Sequence, residues 1–474
     1  MAGSSLQDGQ AELPTHKSTH SYWHRDPSKK LLGHHTTKEL PLTADVVIVG
    51  SGITGTFAAR ELTAGGKRVV MLDAREACWG ATGRNGGHCQ PGVWNSPPEI
   101  ARFELATFNL IKELVEKHDI PCDWQVVGGV HAIFSQQLLD AAKKQIEGLQ
   151  QHPDLKDKAV LILDKAELAA KRVPNALAAV YQPNAAKCWP YKLVTWLLER
   201  LLSEHDATAF NLQTNTAATQ LERDGSTWIV HTSEGQIRAK DVLLASNAYT
   251  SYLLPKMTGL ILPVRGQVCA LEPPPKATQL SHTHVWLKGG HDQYLIQRGP
   301  EDTQVEDGTA ASDMSLILGG ERLAAPGGEE GVSRDDEINP IISRSLHRGL
   351  KDAVQLVPDS ESQPEELRAA YEWTGIMAYS SDNSPWVGRV PGTLASGSDA
   401  EAATGLWVSA GYGGHGMPVA ARCGIAAAEM ILGKEGGVQV PQGWIASEQR
   451  VKRAREVGMD IPRTVEDFIR LMSE

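Results

Sequence analysis

Two short runs of consecutive apolar residues flank a helical stretch near the beginning of the chain. Residues 45–49 and 68–72 are mostly valine, isoleucine, methionine and leucine, and unbroken runs of this kind are typical of strands buried on both faces of a parallel sheet. Residues 56–64 between them predict a helix that ends at Gly65-Gly66. The order of strand, turn, helix and strand predicts a βαβ unit and hence an α/β fold.

The remaining apolar patterns predict three longer helices, two further strands and a short helix in the tail. The longer helices are predicted at 98–118, 136–151 and 193–204, the strands at 228–232 and 242–245, and the short helix at 464–473. Stretches rich in glycine, proline or acidic residues predict loops at 273–275, 299–314 and 324–335. The acidic part of the second loop, residues 301–313, is interpreted as a surface hairpin tip or insertion.

Composition and charge narrow the classes of protein to which the chain can belong. Its 474 residues suffice for two domains, and a hydrophobic content of 41% is that of a globular protein. With 46 basic and 57 acidic residues the net charge is −11, which disfavours nonspecific binding to nucleic acid or anionic lipid. No run approaches the roughly 18 apolar residues of a membrane-spanning helix. We therefore expect neither a nucleic-acid partner nor a membrane partner.

The cysteines and the chain ends predict a cytoplasmic location. Six cysteines are spread along the chain without a Cys-x-x-Cys pair, which is the usual pattern in a reducing compartment. The first forty residues show no secretory signal, and the last residues match no peroxisomal signal. Residues 1–43 instead predict an extension that wraps around the folded part or projects from it. Its histidines lack regular metal-ligand spacing, so no metal site is predicted.

The turn after the first strand reads Gly50-Ser51-Gly52-Ile53-Thr54-Gly55, a G-x-G-x-x-G pattern. In this pattern the first glycine permits a tight turn, the second lets the backbone approach a pyrophosphate, and the third lets helix and strand pack closely. The free N–H groups at the helix N-terminus favour a bound phosphate. Asp73, at the end of the next strand, is placed to accept hydrogen bonds from ribose hydroxyls. The pattern predicts a dinucleotide site without deciding between a nicotinamide and a flavin.

The segment that follows, residues 74–92, is too rich in glycine for a regular helix or strand. It offers backbone N–H groups and small side chains along an extended ligand, and it also carries Trp79, Arg84, Asn85 and His88. Flexible linkers are rich in glycine and serine without such side chains. The segment therefore favours a flavin dinucleotide.

Three sequence blocks together resemble the D-amino-acid-oxidase-like (DAO) superfamily of FAD-dependent oxidoreductases. They stand in family order and bracket residues 45–433, and the first and third are the specific ones. The blocks are Asp45–Gly92 with Gly80-Ala81-Thr82-Gly83-Arg84-Asn85-Gly86-Gly87, Leu244–Tyr249 followed by Pro263–Gln267, and Gly375–Pro385 followed by Gly411–Met417. Within the superfamily the chain looks most similar to amine oxidases of the gamma-glutamylputrescine oxidase and sarcosine oxidase type.

The resemblance implies a discontinuous Rossmann-type FAD/NAD(P)-binding domain and an α+β substrate domain with a mixed antiparallel sheet. The implied boundaries are 44–97, 183–255 and 366–435 for the FAD-binding domain, 98–182 and 256–365 for the substrate domain, 1–43 for the extension and 436–474 for a C-terminal tail. The implied cofactor-binding residues are Gly50, Gly52, Ile53, Thr54, Gly55, Asp73, Ala74, Arg75, Gly80, Ala81, Thr82, Arg84, Asn85, Gly86, Gly87, His88, Ala245, Asn247, Gly411, Gly413, Gly414, His415, Gly416 and Met417. By analogy, Arg84–Gly87 would lie near the isoalloxazine ring. A helix with Pro418 in its first turn would direct its positive end at the flavin pyrimidine edge.

One departure from the family pattern concerns how FAD is attached. Some relatives bind it covalently through a cysteine just before the Asp382 region, and this chain has none there. Others use a histidine where Arg84 stands. Noncovalent FAD is therefore expected, and His88 and Cys89 are the candidates if a covalent bond exists.

A second departure concerns the substrate. Sarcosine-oxidase-like members bind a substrate carboxylate with a lysine after the Gly-His-Gly turn, where Met417 and Pro418 stand here. The difference favours an amine, or an amino acid bound by another arginine. Arg298 and Arg322 are the candidates, and a surface or inter-domain ion pair is the alternative role for each.

The resemblance implies an enzyme that oxidises the C–N bond of an amine or amino acid by hydride transfer to FAD. The candidate catalytic residues are His415, Tyr412 and Arg298. Aromatic side chains suit the wall of an amine pocket, and the candidates for that wall are Trp94, Tyr249, Trp373, Tyr379 and Tyr412. His415 is the favoured polar group near the ring, with a purely structural histidine as the alternative.

The sequence leaves the electron acceptor, the substrate and the oligomeric state open. An oxidase that passes electrons to O2 and releases hydrogen peroxide is expected. The alternative is a flavin dehydrogenase or an NAD(P)H-linked flavin monooxygenase that acts on a secondary-metabolite intermediate. A second nucleotide fingerprint, which the monooxygenase class usually needs, is not assigned, because the other G-x-G-x-x-G in the sequence, Gly411–Gly416, belongs to the third block of the DAO resemblance. The substrate and the oligomeric state are not predicted. We also expect Tyr22-Trp23 of the extension to pack on the FAD-binding domain.

Overall fold

A computed structural model describes residues 6–288, 290–299, 314–395 and 403–472 of the chain. The helices are α1 (Ile53–Ala64), α2 (Pro98–His118), α3 (Gln136–Leu149), α4 (Lys165–Ala170), α5 (Pro190–Glu204), α6 (Thr250–Leu253), α7 (Pro340–Arg348), α8 (Ala420–Leu432), α9 (Glu448–Val457) and α10 (Val465–Leu471). The strands are β1 (Thr43–Val49), β2 (Val69–Leu72), β3 (His88–Cys89), β4 (Gln125–Val126), β5 (Gly129–Ile133), β6 (Val160–Ile162), β7 (Ala178–Gln182), β8 (Ala186–Lys187), β9 (Phe210–Gln213), β10 (Ala218–Asp224), β11 (Thr227–Thr232), β12 (Gly235–Leu244), β13 (Ile261–Leu271), β14 (Thr283–Lys288), β15 (His291–Gln297), β16 (Leu316–Gly320), β17 (Ala369–Ser380), β18 (Trp386–Arg389) and β19 (Leu406–Ala410).

The first large sheet has a parallel centre in the order β9-β2-β1-β12-β19. The hairpin β10–β11 extends it antiparallel to β12, and β18 pairs antiparallel with β19. The apolar runs of β1 and β2 are buried at its centre, as their unbroken pattern predicts. Helices α1 and α8 cover one face so closely that a Cβ on Gly424 would lie 2.2 Å from the Thr54 carbonyl oxygen.

The second large sheet runs β17-β13-β16-β15-β14-β5-β7-β6. Its pairs are antiparallel except for β14 and β5, which are parallel. Apolar side chains from this sheet and α7, among them Ile342 and Leu346, form a separate core. A small sheet, β3-β8-β4, lies near the glycine-rich segment. The expected α/β class with a Rossmann-type sheet and a mixed sheet is confirmed.

Several predicted helices are present with shifted boundaries. Helix α1 begins three residues earlier than predicted, directly after Gly52, and α5 begins at Pro190 rather than at residue 193. Helix α8 begins only at Ala420, because Val419 has non-helical dihedral angles, so Pro418 precedes the helix and its first turn. The predicted insertion 301–313 lies outside the described residues. Within the described part of the chain, no helix is both long and apolar enough to cross a membrane.

Gly55 sets the distance between α1 and the end of β1. A Cβ on Gly55 would lie 2.0 Å from the Gly50 carbonyl oxygen, which is closer than packed atoms can approach, and 3.2 Å from Ile48 Cγ2, which is a tight contact. We expect Gly55→Ala to lower the free energy of unfolding by about 2–3 kcal/mol, as overpacked cores do. Denaturant unfolding of the full chain measures this change.

The matched control is Gly148→Ala in α3, where a Cβ has no heavy atom within 4 Å. That substitution is expected to be neutral or to stabilise the chain by up to about 1 kcal/mol, because alanine is favoured over glycine inside a helix. Equal effects of the two substitutions would contradict the close packing assigned to Gly55.

Candidate active site

A cavity of about 440 Å³ runs between the two large sheets. Its volume lies within the roughly 300–1,000 Å³ that is typical of cofactor and ligand sites. One end is formed by the carboxyl ends of β1, β2 and β12, where ligands bind in open α/β sheets. The other end is formed by side chains of β5, β14, β15 and β17. We call these the dinucleotide end and the substrate end.

The glycine turn shapes the dinucleotide end. Gly50 has a φ of +110°, and a Cβ there would lie 2.6 Å from the Ala245 carbonyl oxygen, so only glycine fits. Gly52 is the N-cap of α1 and supplies no side-chain cap. The Ile53 N–H donates to Thr82 Oγ1 at 3.2 Å, which ties the helix N-terminus to the glycine-rich segment. The N-terminal N–H groups of α1 therefore adjoin the cavity, where an anionic phosphate is favoured.

Asp73 lines the cavity at the end of β2. Its Oδ2 accepts hydrogen bonds from the Ser51 N–H at 2.9 Å and from the Ser51 hydroxyl, and its Oδ1 accepts one from the Arg75 N–H at 3.0 Å. Burial raises the pKa of Asp73, although these hydrogen bonds act against that rise. The carboxylate is thus held in a fixed position with acceptor capacity left for a ribose hydroxyl.

Asp335 is a buried carboxylate that is shared by two arginines of the glycine-rich region. It lies 2.9 Å from Arg75 Nη1 and 3.3 Å from Arg84 Nε. The Arg84 guanidinium also donates to the carbonyl oxygens of Thr374 and Thr19. Burial lowers the pKa of Arg84 to about 10. Arg84 therefore joins three chain segments, and it also lines the cavity, where the family analogy puts it near the isoalloxazine ring.

The N-terminal extension lies across the glycine-rich segment, as expected for Tyr22-Trp23. The Ser21 hydroxyl donates to the Gly83 carbonyl oxygen at 2.9 Å, and the Trp23 indole N–H donates to the Asn85 carbonyl oxygen. Trp23 is fully buried. Leu13 and Pro14 of the same extension line the cavity itself. The extension therefore forms part of the wall around the dinucleotide end.

Trp23→Ala tests that role. We expect it to lower the free energy of unfolding by about 3–5 kcal/mol, because it removes a fully buried aromatic side chain, and to weaken retention of a bound dinucleotide. Calorimetry and cofactor content after gel filtration measure the two effects. Leu32→Ala is the control, since Leu32 lies on the same extension with 43% of its surface exposed. Equal stability of the two variants would contradict the wrapping role.

The substrate end contains a histidine–glutamate pair. His415 Nε2 lies 2.8 Å from Glu104 Oε2, and that oxygen also accepts the Gly92 N–H at 2.6 Å. Glu104 is 3% exposed, whereas His415 lines the cavity. Burial alone would lower the pKa of His415, but the adjacent Glu104 carboxylate outweighs burial, and the net shift is upward. The pair combines a basic imidazole with a carboxylate that fixes its orientation.

Two further histidines line the same end, and both are held neutral. The Trp94 indole N–H donates to His131 Nδ1 at 3.1 Å, which makes that nitrogen an acceptor. Burial lowers the pKa of His131 to about 3. Burial likewise lowers the pKa of His88 to about 3, against the opposing effect of a hydrogen bond with the Leu295 backbone. His131 Nε2 is also engaged, by the side-chain amides of Gln90 and Gln182, whereas His88 Nε2 has no hydrogen-bond partner among the described residues. The His88 imidazole can therefore offer a neutral hydrogen-bonding group to a ligand.

Most of the residues predicted from the sequence are brought together by this cavity. Those that line it are Gly50, Gly52, Ile53, Thr54, Asp73, Ala74, Arg75, Gly80, Ala81, Thr82, Arg84, Asn85, Gly86, His88, Ala245, Asn247, Tyr412, Gly414, His415, Gly416 and Met417. Gly55, Gly87, Gly411 and Gly413 stand beside lining residues without lining the cavity themselves. Gly87, with a φ of +73°, packs against Trp23 instead.

The other two candidate catalytic residues lie in different surroundings. Tyr412 lines the cavity, but its hydroxyl lies 3.0 Å from Thr54 Oγ1 and 2.9 Å from Ser409 Oγ. Arg298 does not line the cavity, because it is fully buried with its Nη2 2.7 Å from Asp123 Oδ2. Tyr412 therefore joins α1 to the sheet, and Arg298 serves in a buried ion pair.

Three residues at or beside the cavity were not singled out from the sequence. His131 on β5 and Asn95 in the loop before α2 line the cavity, and Glu104 in the middle of α2 contacts the lining residue His415. A glutamate at a buried position of an amphipathic helix is the one local signal that could have drawn attention to Glu104. His131 and Asn95 carry no such signal, because only the tertiary fold brings them to the cavity.

The geometry of the dinucleotide end fits FAD. A glycine turn at a helix N-terminus, a carboxylate with spare acceptor capacity and a long glycine-rich wall suit pyrophosphate, ribose and the extended chain between the rings. The Tyr249 hydroxyl, which also lines the cavity, is buried and has no hydrogen-bond partner among the described residues. Such a group is available to a ligand.

Comparison with protein families also indicates FAD. The family model described as "FAD dependent oxidoreductase" (DAO) matches residues 45–430. The chain belongs to this family. It is therefore a flavoenzyme that uses FAD and acts on C–N bonds of the amine and amino-acid type, as the resemblance implied.

The chain is similar to several known proteins over most of its own length and of theirs. The chain is 25% identical to the gamma-glutamylputrescine oxidoreductase of Escherichia coli, covering 83% of this chain and 84% of that protein. It is 27% identical to the glycine oxidase of Pseudomonas aeruginosa, covering 82% and 95%. The crystal structure of glycine oxidase from Geobacillus kaustophilus superposes with a TM-score of 0.66 at 20% identity, covering 86% and 99%. This last similarity shows the fold alone.

Proposed function

We propose that the chain oxidises the C–N bond of a small amine or amino acid, with O2 as the final electron acceptor and hydrogen peroxide as a product. The observation that carries the proposal is the His415–Glu104 pair, which adjoins the same cavity as the glycine turn of the dinucleotide end. The proposal thus places a basic imidazole beside a site that fits a flavin dinucleotide.

FAD, when bound, supplies the acceptor for the hydride that leaves the carbon next to nitrogen. The residues proposed to hold it are those of the glycine turn, Asp73 and the segment 80–88, all at the dinucleotide end. None of the six cysteines lines the cavity. His88 does, and it stays the candidate if a covalent link exists. Because no cysteine reaches the cavity, we propose that FAD is bound without a covalent link.

His415 is proposed to accept the proton of the substrate ammonium group, because an amine must be neutral to lose a hydride. Its Nε2 lies against Glu104, so that nitrogen carries the proton that Glu104 accepts, and Nδ1 is the acceptor left for substrate. The raised pKa of His415 makes the imidazole a stronger base than an ordinary histidine. Glu104 acts through His415 by orienting the ring and stabilising the imidazolium.

The first test is the visible spectrum of the purified protein before and after acid precipitation. A flavin spectrum whose colour moves to the supernatant is expected for noncovalent FAD. Colour in the pellet would show a covalent link. A colourless protein that takes up no added FAD would contradict the proposed function as a whole.

The second test is aerobic turnover of amines and amino acids with peroxide detection. We expect one mole of peroxide for each mole of substrate oxidised. Turnover with an artificial electron acceptor but without peroxide would show that the natural electron acceptor is not O2. Rapid flavin reduction by NADPH would instead favour a monooxygenase.

A further inference from the structure

Few basic side chains line the cavity. The position of every lysine, arginine and histidine is known, because all of them lie within the described residues. Of the lysines and arginines, Arg75 and Arg84 line the cavity. Both lie at the dinucleotide end and both are paired with the buried Asp335. The positive charge that one shared carboxylate leaves uncompensated therefore lies at the dinucleotide end and not at the substrate end.

The arginines that the sequence offered for a substrate carboxylate are used elsewhere. Arg298 pairs with Asp123 and lies between the rings of Trp23 and Trp189 at 5.6 and 5.4 Å. Arg322 lies 3.3 Å from Glu330 and donates to the Pro462 carbonyl oxygen at 2.7 Å. Neither residue lines the cavity.

The histidines of the substrate end do not supply the positive charge that a substrate carboxylate needs. His88 and His131 are neutral because burial lowers the pKa of each to about 3. His415 can be charged, but its charge faces Glu104 at 2.8 Å. A substrate carboxylate would therefore enter this end without a cation to balance it, which disfavours its binding there.

Oxygen acceptors gather at the substrate end instead. Around Gly92, the position of a hypothetical Cβ lies 2.9 Å from Ser96 Oγ, 3.0 Å from Asn95 Oδ1 and 3.6 Å from Glu104 Oε2. Gly92 and Asn95 line the cavity, and Asn95 Oδ1 is buried without a hydrogen-bond partner among the described residues. We call Asn95 Oδ1, Ser96 Oγ and Glu104 Oε2 the acceptor cluster. Its unused carbonyl group suits a ligand that donates hydrogen bonds, and when His415 is neutral the Glu104 carboxylate leaves a negative charge that suits a cationic ligand.

We propose that the substrate is an amine without a carboxylate on the reacting carbon, and that its ammonium group is recognised by the acceptor cluster through Asn95 Oδ1. This substrate class rests on the proposed function and narrows it. It excludes free α-amino acids as efficient substrates, although relatives named for glycine or other amino acids share the fold. Recognition of the ammonium beside His415 also places its proton near the base that removes it.

The test compares pairs of compounds that differ only by the carboxylate. Benzylamine with phenylglycine, ethylamine with alanine, and putrescine with ornithine are mixed anaerobically with the FAD-loaded enzyme, and the rate of flavin bleaching is recorded. Within pairs that react, we expect the amine to be at least tenfold faster. Faster reaction of the amino acids would overturn the substrate class while leaving the oxidase function in place. Failure of every compound to bleach the flavin would count against the proposed function.

A binding measurement decides the substrate class independently of turnover. Benzylammonium and benzoate are titrated separately into the FAD-loaded enzyme, and the change in the flavin spectrum gives each Kd. The proposal predicts that the ammonium ligand binds at least tenfold more tightly than the carboxylate ligand. The reverse order would overturn it even if no substrate had been found.

Asn95→Leu tests the acceptor cluster itself. The substitution preserves side-chain size and removes the unused carbonyl group, so we expect Kd for benzylammonium to rise about tenfold or more, with Kd for benzoate unchanged. Asn175→Leu is the control, because Asn175 is exposed and does not line the cavity. An unchanged Kd in Asn95→Leu, with the variant folded and FAD-loaded, would remove Asn95 from the site.

Discussion

Asp335→Ala is expected to lower the free energy of unfolding by about 3–5 kcal/mol and to deplete the protein of FAD. The reason is that the substitution leaves two buried guanidinium groups, those of Arg75 and Arg84, without their shared carboxylate. Breaking a buried ion pair by removing one partner is strongly destabilising, because an uncompensated charge stays buried. The same carboxylate also accepts the Thr15 hydroxyl at 3.1 Å, so the N-terminal extension would be released as well.

Denaturant unfolding and FAD content measure the two consequences of Asp335→Ala. The matched control is Asp154→Ala, since Asp154 lies 2.7 Å from Arg102 in an ion pair whose side chains are about half exposed. Exposed pairs of this kind contribute about 0–1 kcal/mol. A loss in Asp335→Ala no greater than in the control would show that the three chain segments are joined by other contacts.

His415→Asn is expected to lower the rate of substrate oxidation by about 10²–10⁴-fold, which is the usual contribution of a positioned general base. FAD content should stay unchanged, so the loss would be seen in anaerobic single-turnover flavin reduction. His231→Asn is the control, because His231 forms a similar pair with Glu222 at 2.9 Å on the outer hairpin, away from the cavity. Rates in His415→Asn within a fewfold of the unsubstituted enzyme would contradict the assigned role.

Glu104→Gln separates the orienting role of Glu104 from the role of His415 as the base. The carboxylate raises the pKa of His415, so its removal should lower that pKa. His415 acts as a base only when neutral, and the rate therefore falls as pH drops through its pKa. In Glu104→Gln the acidic limb of the pH profile should move to lower pH. If the acidic limb does not move, it reports the ionisation of another group, such as the substrate amine.

The dinucleotide end could be predicted from the sequence because its signals are local. The glycine turn, the helix that follows it and Asp73 at the end of β2 lie within 24 consecutive residues, 50–73. Each follows from backbone geometry that only particular residues satisfy, such as the positive φ of Gly50. Helix α2 was likewise predicted at its observed bounds, since Pro98 opens a regular apolar pattern.

The substrate end could not be predicted in the same way, because its contacts join distant parts of the chain. Glu104 and His415 are 311 positions apart. Arg84 reaches Thr19, Asp335 and Thr374 through ion pairing and hydrogen bonds that no local pattern reveals. Arg298 was a reasonable candidate for a carboxylate until the fold placed Asp123 against it.

The oxidation of amines by this flavoenzyme is tested most directly by the visible absorbance of the purified protein during anaerobic addition of an amine. We expect a flavin spectrum that bleaches when a reactive amine is added and returns when air is admitted, with hydrogen peroxide formed in equal amount. A protein that holds FAD but is bleached by NADPH and by no amine would contradict the proposed amine oxidation.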